Sequence, residues 1–508
     1  MRCHVPTSCR RVLAILCGIV TLPVSADTPR ANSTPAQPNI VVVLVDDMGY
    51  GDPGCFQPQS KIETPHIDAL ARAGMRFTDA HAPGPLCHMS RYGLMTGRYP
   101  FRTDVSVWPT EPLIERHQMT IASLAKDQGY RTAMVGKWHL GFREHGYDQP
   151  LPGGPVDCGF DHFFGIRAST DIPPYFYIRD DHAVEEPTER IAANRSENWS
   201  PIQGAFWRAG GIAPNLQLDN VLERFTDEAI KVIEQHAAQN GPSDDEQPAQ
   251  PLMLYLAYPA PHTPWLPAER FAGKSKVGMY GDFVMMVDAE IGRVTQSLRT
   301  AGMEEETLLI FTSDNGPVWY EDDTRRYQHD SAGGLRGMKA DAWEAGHRMP
   351  LIVRWPGRVP ADSHSEQLVC FTDFLATFAD VLDVTLPKNA GPDSFSFLPA
   401  LLGNSSQTAT MRKQWVMQAG SVRSMMTIRE GNWKLITELG SGGFSKPKRQ
   451  QPSEGGPTAQ LYDLKADPAE RTNLFAERPD IVIRLQAALN EIVHNHHSRP
   501  TPRPDSID

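Results

Sequence analysis

The chain alternates between unbroken apolar runs and amphipathic stretches, and four of the runs stop abruptly at polar, chemically capable residues. Asn39-Ile40-Val41-Val42-Val43-Leu44-Val45 meets Asp46-Asp47, and Thr132-Ala133-Met134-Val135 meets Gly136-Lys137-Trp138-His139. Leu252-Met253-Leu254-Tyr255-Leu256-Ala257 runs on toward His262, and Leu308-Leu309-Ile310-Phe311 leads to Asp314-Asn315. Short continuous aliphatic runs predict strands buried on both faces. Leu222, Phe225, Ala229 and Ile233 share one helical stripe, as do Val284, Val287, Ile291, Val294 and Leu298, so helices are predicted between strands. Strand and helix in alternation predict an α/β fold, a large, mainly parallel or mixed sheet flanked by helices. In such sheets ligands bind beyond the carboxyl ends of the strands. All four polar clusters fall at that edge.

From about Gln414 the pattern changes. Trp415 to Ala419, Ser424 to Arg429 and Trp433 to Thr437 read as short alternating strands, followed by Leu461-Tyr462-Asp463-Leu464 and a terminal helix near Ile481 to Val493. The expected organisation is a catalytic domain over 39–410, a smaller antiparallel-sheet subdomain over 411–496 and a flexible tail over 497–508. Asn240 to Pro251 and Gly440 to Pro457, rich in Pro, Gly and charge, read as exposed loops.

A hydrophobic content of 40% over 508 residues is ample for a packed core. The balance of 61 acidic against 49 basic residues, net −12, disfavours a general polyanion-binding surface and with it nucleic acid. An anionic substrate then needs a local cationic pocket. At the N-terminus, Arg2, Arg10 and Arg11, the apolar run Val12 to Val20 and Val24-Ser25-Ala26 read as a secretory signal over 1–26, with a linker over 27–38. The apolar run is shorter than the ~20 residues that span a bilayer. The expected location is therefore secreted or periplasmic, without stable membrane insertion after cleavage; the alternative is an uncleaved anchor. Cleavage leaves Cys55, Cys87, Cys158 and Cys370. If Cys87 is reserved for chemistry, at most one disulfide can form in the oxidising compartment. Asn32, Asn194, Asn198 and Asn404 are glycan acceptors in a glycosylating host.

Asp46, Asp47, Asp314 and Asn315 form an all-oxygen set if both strands end at one edge. Such hard ligands select Ca²⁺ or Mg²⁺ over zinc, although either pair alone would serve equally to cap a strand end. Lys137 and His139, one residue apart, would share a face of an extended chain. His262 lies in Pro261-His262-Thr263-Pro264, where the prolines fix the loop, and Lys339 follows Gly334-Leu335-Arg336-Gly337-Met338. Standing alone, that histidine would be a packed residue and the lysines surface.

Cys87-His88-Met89-Ser90-Arg91-Tyr92-Gly93-Leu94-Met95-Thr96-Gly97-Arg98 resembles the signature of type I sulfatases, of the alkaline phosphatase superfamily. Gly136-Lys137-Trp138-His139-Leu140-Gly141 resembles the second family signature. The resemblance extends from Asn39 to about His497 with the clusters in family order. It implies that a formylglycine-generating maturation enzyme converts Cys87 to formylglycine, whose hydrate attacks the sulfur of a sulfate ester. Met89 departs from the family, which has Pro or Ala where the maturation enzyme reads the chain. The resemblance further implies metal ligands at Asp46, Asp47, Cys87, Asp314 and Asn315, with Ca²⁺ or alternatively Mg²⁺. By the same resemblance Arg91 is expected to support the formylglycine, Lys137 to hold a sulfate oxygen or the formylglycine, His139 to act as base that regenerates the aldehyde, and His262 and Lys339 to contact the sulfate and the departing oxygen. The implied function is a sulfuric ester hydrolase, arylsulfatase-like, acting on sulfated carbohydrates or aryl sulfates. The alternatives are a formylglycine-dependent phosphonate or phosphodiester hydrolase, and an inactive sulfoglycan-binding homologue with unconverted Cys87. Tyr280-Gly281-Asp282 and Asp288-Ala289-Glu290-Ile291-Gly292 resemble the exo-acting arylsulfatase A and galactosamine-6-sulfatase branch. In the insert Arg167 to Pro214, Tyr175, Tyr177, Arg179, Arg190, Trp199, Trp207 and Arg208 suit stacking on sugars and holding anions.

Overall fold

The four apolar runs become adjacent strands in the computed structural model, which describes residues 37–105, 109–240, 249–403 and 411–499. In chain order the strands of the main sheet are β1 (Asn39–Asp46), β2 (Met75–Phe77), β3 (Arg131–Lys137), β4 (His162–Ile166), β5 (Ile178–Arg179), β6 (His182–Ala183), β7 (Leu252–Pro261), β8 (Thr307–Ser313), β9 (Leu351–Arg354) and β10 (Ser363–Ser365). Their spatial order is β10-β2-β9-β8-β1-β7-β3-β4-β5-β6. From β8 to β4 the pairing is parallel, and β9 and β5 turn antiparallel on either side, so the sheet is mixed. Ile40 to Val45 have no exposed surface, as strands covered on both faces require.

Register is what assembles a site. Val42 lies beside Tyr255 and Ile310; the second alignment sets Val45 beside Ser313, and a register shift after Leu44 in the first brings Asp46 beside Pro261. Asp46-Asp47, His262 and Asp314-Asn315 therefore leave three neighbouring strands at one level. Gly136 pairs with Ala257 and brings Lys137 to the same edge. Helix α1 (Cys87–Thr96) carries the signature, while α2 (Val221–Gln239) and α3 (Gly278–Thr300) cover the sheet through the two stripes read from the sequence, all buried.

A second sheet, β11 (Gln414–Gln418), β12 (Met426–Glu430), β13 (Trp433–Ile436) and β14 (Gln460–Asp463), is antiparallel throughout. It is covered by α4 (Pro479–His494), which buries Leu485, Leu489 and Ile492. Charged groups cross the seam between the sheets. Lys434 Nζ meets Glu344 at 3.0 Å and Glu470 at 2.8 Å, all three fully buried.

One expectation changes. Within the expected exposed loop Gly440 to Pro457, Ser441, Gly442 and Gly443 are buried, because their backbone packs on the segment that follows Lys339. Ala342 N donates to Ser441 O at 2.7 Å, Ser445 N donates to Asp341 Oδ1 at 3.0 Å, and a Cβ at Gly443 would lie 2.2 Å from the Ala340 carbonyl. The tail is anchored as far as Ser498 and Arg499, whose N–H groups both donate to Pro392 O at 3.0 Å. The four cysteines of the described residues are free, so the optional disulfide is not formed among them. The expected signal over 1–26, most of the linker, Asn32, Asn404 and the tail from 500 lie outside the described residues. Among the described residues no helix is long and apolar enough to cross a membrane.

Candidate active site

Leu86, in extended conformation, caps α1 from the N-terminal side, and Gly97 ends the helix with φ 64°, a left-handed turn that glycine adopts without strain. All ten residues of α1 are buried. Cys87 occupies the first helical position, where the unpaired N–H groups and the helix dipole favour negative charge. Its Sγ lies 3.3 Å from Asp46 Oδ1 and 3.3 Å from Lys339 Nζ, in each case at hydrogen-bonding distance for sulfur.

Around the thiol, three carboxylates meet three cations. Lys137 Nζ donates to Asp46 Oδ2. Lys339 Nζ donates to Asp47 at 2.7 and 2.8 Å. Arg91 donates to Asp314 Oδ2 through Nε at 3.0 Å, pairs with it through a terminal nitrogen at 2.8 Å, and ties the end of β3 by donating to Lys137 O at 2.9 Å. Burial alone would raise Asp46, but Lys137, His262 and Arg91 hold it well below the usual carboxylate range. Burial dominates at Asp47 and Asp314, and both are raised. Lys339, which burial would lower, is held up by Asp47 and Cys87.

The histidines face the same cavity, of about 150 Å³, lined among others by Asp47, Cys87, His88, His139, Asp171 and His262. His139 lies beyond the last residue of β3 with φ 59°, so strand alternation does not relate it to Lys137; Lys137 turns to Asp46 and His139 turns to the cavity. Both ring nitrogens of His139 are buried without a hydrogen-bond partner. His262 Nδ1 donates to Thr263 O at 2.6 Å, which leaves Nε2 as the neutral ring's acceptor, 3.6 Å from Asp47 Oδ2. Burial and the Lys339 charge push His262 down to about 4.

Sequence reasoning missed His88, Ser169, Asp171 and Phe444. His88 is buried with its ring 5.6 Å from that of His139. Ser169 Oγ and Asp171 Oδ1 are buried in the wall without hydrogen-bond partners, while the other Asp171 oxygen is held by Arg208. No sequence pattern marks them, because they come from an irregular segment after β4. Of the insert residues expected to meet sugars, Arg208 lines the cavity, but Tyr175 and Tyr177 are only 3% and 6% exposed. Tyr175 donates to Arg208 O at 2.8 Å, Tyr177 stacks on Phe164, and Trp199 packs on Trp265 and Tyr327. The stretch Tyr280 to Gly292 serves the core as well: Tyr280 donates to Asp52 Oδ2, and Asp288 accepts from His66 N and Ile67 N.

The buried donor set could hold a metal ion. Asp46, Asp47, Cys87 and His262 each offer an atom within 4.8 Å of the others, and Asn315 Oδ1 is buried without a partner while its amide donates to Asp47 Oδ1 at 2.6 Å. Asp314 stands beside this group, engaged by Arg91, with Oδ1 3.3 Å from Asp47 N. A second buried group, His81, Glu344 and His347, is filled by protein cations: Lys434 reaches Glu344 at 3.0 Å and His347 at 3.1 Å.

Residues 38–384 match the sulfatase family profile, and 339–496 match that of the N-sulphoglucosamine sulphohydrolase C-terminal region. An N-acetylgalactosamine-6-O-sulfatase of Bacteroides thetaiotaomicron is 32% identical over 95% of this chain and 98% of its own length. Human arylsulfatase A is 31% identical over 86% of this chain and 83% of its own. A solved structure concerned with the metabolism of multiple glycosaminoglycans by Bacteroides thetaiotaomicron superposes with TM-score 0.77 at 30% identity, covering 91% of this chain and all of that one.

Proposed function

Because the chain belongs to the sulfatase family and is a sulfuric ester hydrolase, we propose that it removes sulfate from carbohydrates through a formylglycine made from Cys87. The observation that carries the reading is the convergence on Cys87 of Asp46, Lys339 and a helix N-terminus, in a cavity also lined by Ser169 and Asp171, whose Oγ and Oδ1 are buried without a hydrogen-bond partner. The cation Lys339 suits a sulfate group. The two oxygens suit a leaving group that carries hydroxyls, because a buried polar oxygen without a hydrogen bond costs free energy that a donor on the ligand restores. Relatives named for N-acetylgalactosamine 6-sulfate support a sulfated amino sugar.

In this reading the aldehyde hydrate would supply the attacking hydroxyl, and a divalent cation of the Ca²⁺ or Mg²⁺ class at Asp46, Asp47, Asp314 and Asn315 would supply Lewis-acid charge. The chain's own residues do the rest. Lys339 places positive charge where negative charge spreads over the sulfate oxygens in the transition state, and Lys137 neutralises Asp46 beneath Cys87. Arg91 holds Asp314 and the end of β3 and so keeps Lys137 in place. His139, with both nitrogens free of protein hydrogen-bond partners, is the base that would hold the proton released as sulfate departs. His262 stands at the leaving-group side; the negative charge of a bound sulfate favours its protonated form. Export to a secreted or periplasmic location and the division into 39–410 and 411–496 belong to the same proposal.

Two outcomes follow. Asp171→Asn is expected to raise KM for a sulfated amino sugar roughly tenfold, the worth of a hydrogen bond to a charged group, with a change of less than about threefold for an aryl sulfate that lacks hydroxyls. Equal effects on both substrates in steady-state kinetics would remove Asp171 from sugar recognition. His262→Ala is expected to lower kcat by ~10²–10⁴ for poor leaving groups and far less for activated aryl sulfates, because general acid assistance scales with the basicity of the departing oxygen. A flat dependence on leaving-group pKa would make His262 a sulfate-binding residue. Turnover of phosphodiesters above that of sulfate esters by the same preparation would favour the phosphodiester hydrolase alternative.

A further inference from the structure

Six histidines are buried among the described residues: His81, His88, His139, His236, His329 and His347. Four of them have hydrogen-bond partners in the protein. His81 meets Asp79 at 2.8 Å, His236 meets Asn240 at 3.4 Å, His329 meets Asp52 at 2.9 Å and His347 meets Lys434 at 3.1 Å. The two that have none among the described residues, His88 and His139, are the two that line the cavity around Cys87. Burying a polar ring without a partner costs free energy that a ligand group restores, so such a ring in a cavity wall calls for an explanation. His139 has a place in the chemistry. His88, 2% exposed, has none so far. It follows Cys87 in the first turn of α1, and successive helical residues project about 100° apart, so the two side chains serve different parts of one cavity. Cys87 Sγ faces Asp46 and Lys339, whereas the His88 ring stands against that of His139, with centres 5.6 Å apart. Burial, together with the charges of Lys137 and Lys339, pushes His88 down to about 3. The neutral ring offers one N–H donor and one acceptor, which matches a hydroxyl, itself donor and acceptor, better than it matches an anion.

We propose that His88 is a specificity-determining residue, hydrogen-bonded to a ring hydroxyl of the sugar that carries the scissile sulfate. The inference rests on the sulfated-carbohydrate reading above and adds to it a contact made by the residue directly after the nucleophile. Ser169 Oγ and Asp171 Oδ1 line the same cavity without hydrogen bonds, and Asp171, as a carboxylate, can only accept. His88 supplies the N–H donor that such a wall otherwise lacks. An aryl sulfate has no hydroxyl for it to meet, so the ring favours sugar sulfates by about the worth of one hydrogen bond, a factor of roughly five to ten.

The test uses full-length protein carrying Cys87→Ala, so that bound sugar is not consumed and conversion of Cys87 does not enter. Calorimetry compares N-acetylgalactosamine 6-sulfate, the forms of it that each lack one ring hydroxyl, and phenyl sulfate. Adding His88→Phe, which keeps an aromatic ring beside His139 and removes both nitrogens, should weaken the sugar sulfate about five- to tenfold and phenyl sulfate less than about twofold. His88→Ala, which cannot overfill the wall, should give the same pattern, and His88→Gln, with a donor and an acceptor, should stay within about threefold of the unsubstituted residue. One deoxy sugar should bind about five- to tenfold more weakly than its parent when His88 is present and no more weakly than its parent when His88 is Phe, a coupling that a merely packing role does not produce. Unchanged affinity for the sugar sulfate in the His88 variants, equal losses for it and phenyl sulfate, or the same deoxy penalties in both proteins overturns the inference and leaves the carbohydrate reading intact. Failure of the sugar sulfate to bind with His88 in place, while converted enzyme hydrolyses phenyl sulfate, overturns both.

Discussion

Cys87→Ala is expected to leave a folded protein whose sulfatase activity is lost by a factor on the order of 10⁴–10⁶, the cost of removing a nucleophile. The variant keeps the fold because among the described residues Sγ makes only two contacts of hydrogen-bond type, with Asp46 and Lys339, and those residues retain Lys137 and Asp47 as partners. Native protein made with a formylglycine-generating enzyme should show, in the peptide containing Cys87, the mass change from thiol to aldehyde and reaction with a hydrazide. Conversion should be possible only before folding. Cys87 is 4% exposed and Met89 5%, both wound into α1, so a maturation enzyme that reads an extended segment finds it closed in the finished protein. Purified, folded thiol protein should therefore stay unconverted when the same enzyme is added, and protein denatured in its presence should convert. Met89→Pro should raise the converted fraction and the specific activity together. The helix tolerates that proline, since residue 89 is in the first turn, and the first backbone bond at this end runs from Ser90 N to Leu86 O. Hydrolysis of sulfate esters by protein in which the thiol is intact would end the formylglycine mechanism. A persistent thiol without hydrolysis would make the sulfoglycan-binding alternative the better account.

The centre of the sheet was legible because burial on both faces leaves a plain mark, an apolar run without alternation. Ile40 to Val45 and Leu252 to Ala257 are such runs, and the polar residues where they stop could be assigned to one edge by topology alone. The residues of the main site were legible through short contiguous motifs, in which Cys87 fixes Arg91 on one helix and Asp46 fixes Asp47. Asp171 and Ser169 were not, because they lie in an irregular stretch whose backbone course is set by tertiary contacts. Tyr175 and Tyr177 misled for a related reason: aromatic residues in an insert satisfy a core as readily as they stack on a sugar, and only packing decides. The turn Ser441 to Phe444 was hidden by composition. Glycine and serine suggest a solvated loop, yet here glycine is required so that one backbone can lie directly on another at Ala340.

Removal of the divalent cation is expected to abolish activity and, independently, to lower the melting temperature. Asp46, Asp47 and Asp314 are wholly or almost wholly buried, and Lys137, Arg91 and Lys339 each already engage one of them. Burial nevertheless leaves Asp47 and Asp314 raised above the usual carboxylate range, a sign that the protein's own cations do not fully compensate the site, and Asn315 Oδ1 has no protein partner at all. A hard cation would meet both deficits. Ca²⁺ at 100 times its dissociation constant should then stabilise the native state by about 2.7 kcal/mol, read as a rise in melting temperature that chelator reverses. Asp46→Asn is the informative variant, because it keeps the side chain's shape; Asp46→Ala would strand Lys137 and Arg91 in the interior, a cost of about 3–5 kcal/mol that could unfold the protein by itself. Asp46→Asn should fold, lose the Ca²⁺-dependent rise, and lose kcat by at least ~10³-fold, since both the cation and the lysine facing it depend on that carboxylate. Mg²⁺ in place of Ca²⁺ distinguishes the two ions through the same melting curve. Full activity and an unchanged melting temperature in thoroughly chelated native protein would mean that Lys137, Lys339 and Arg91 balance the three carboxylates unaided, and the metal assignment would fall.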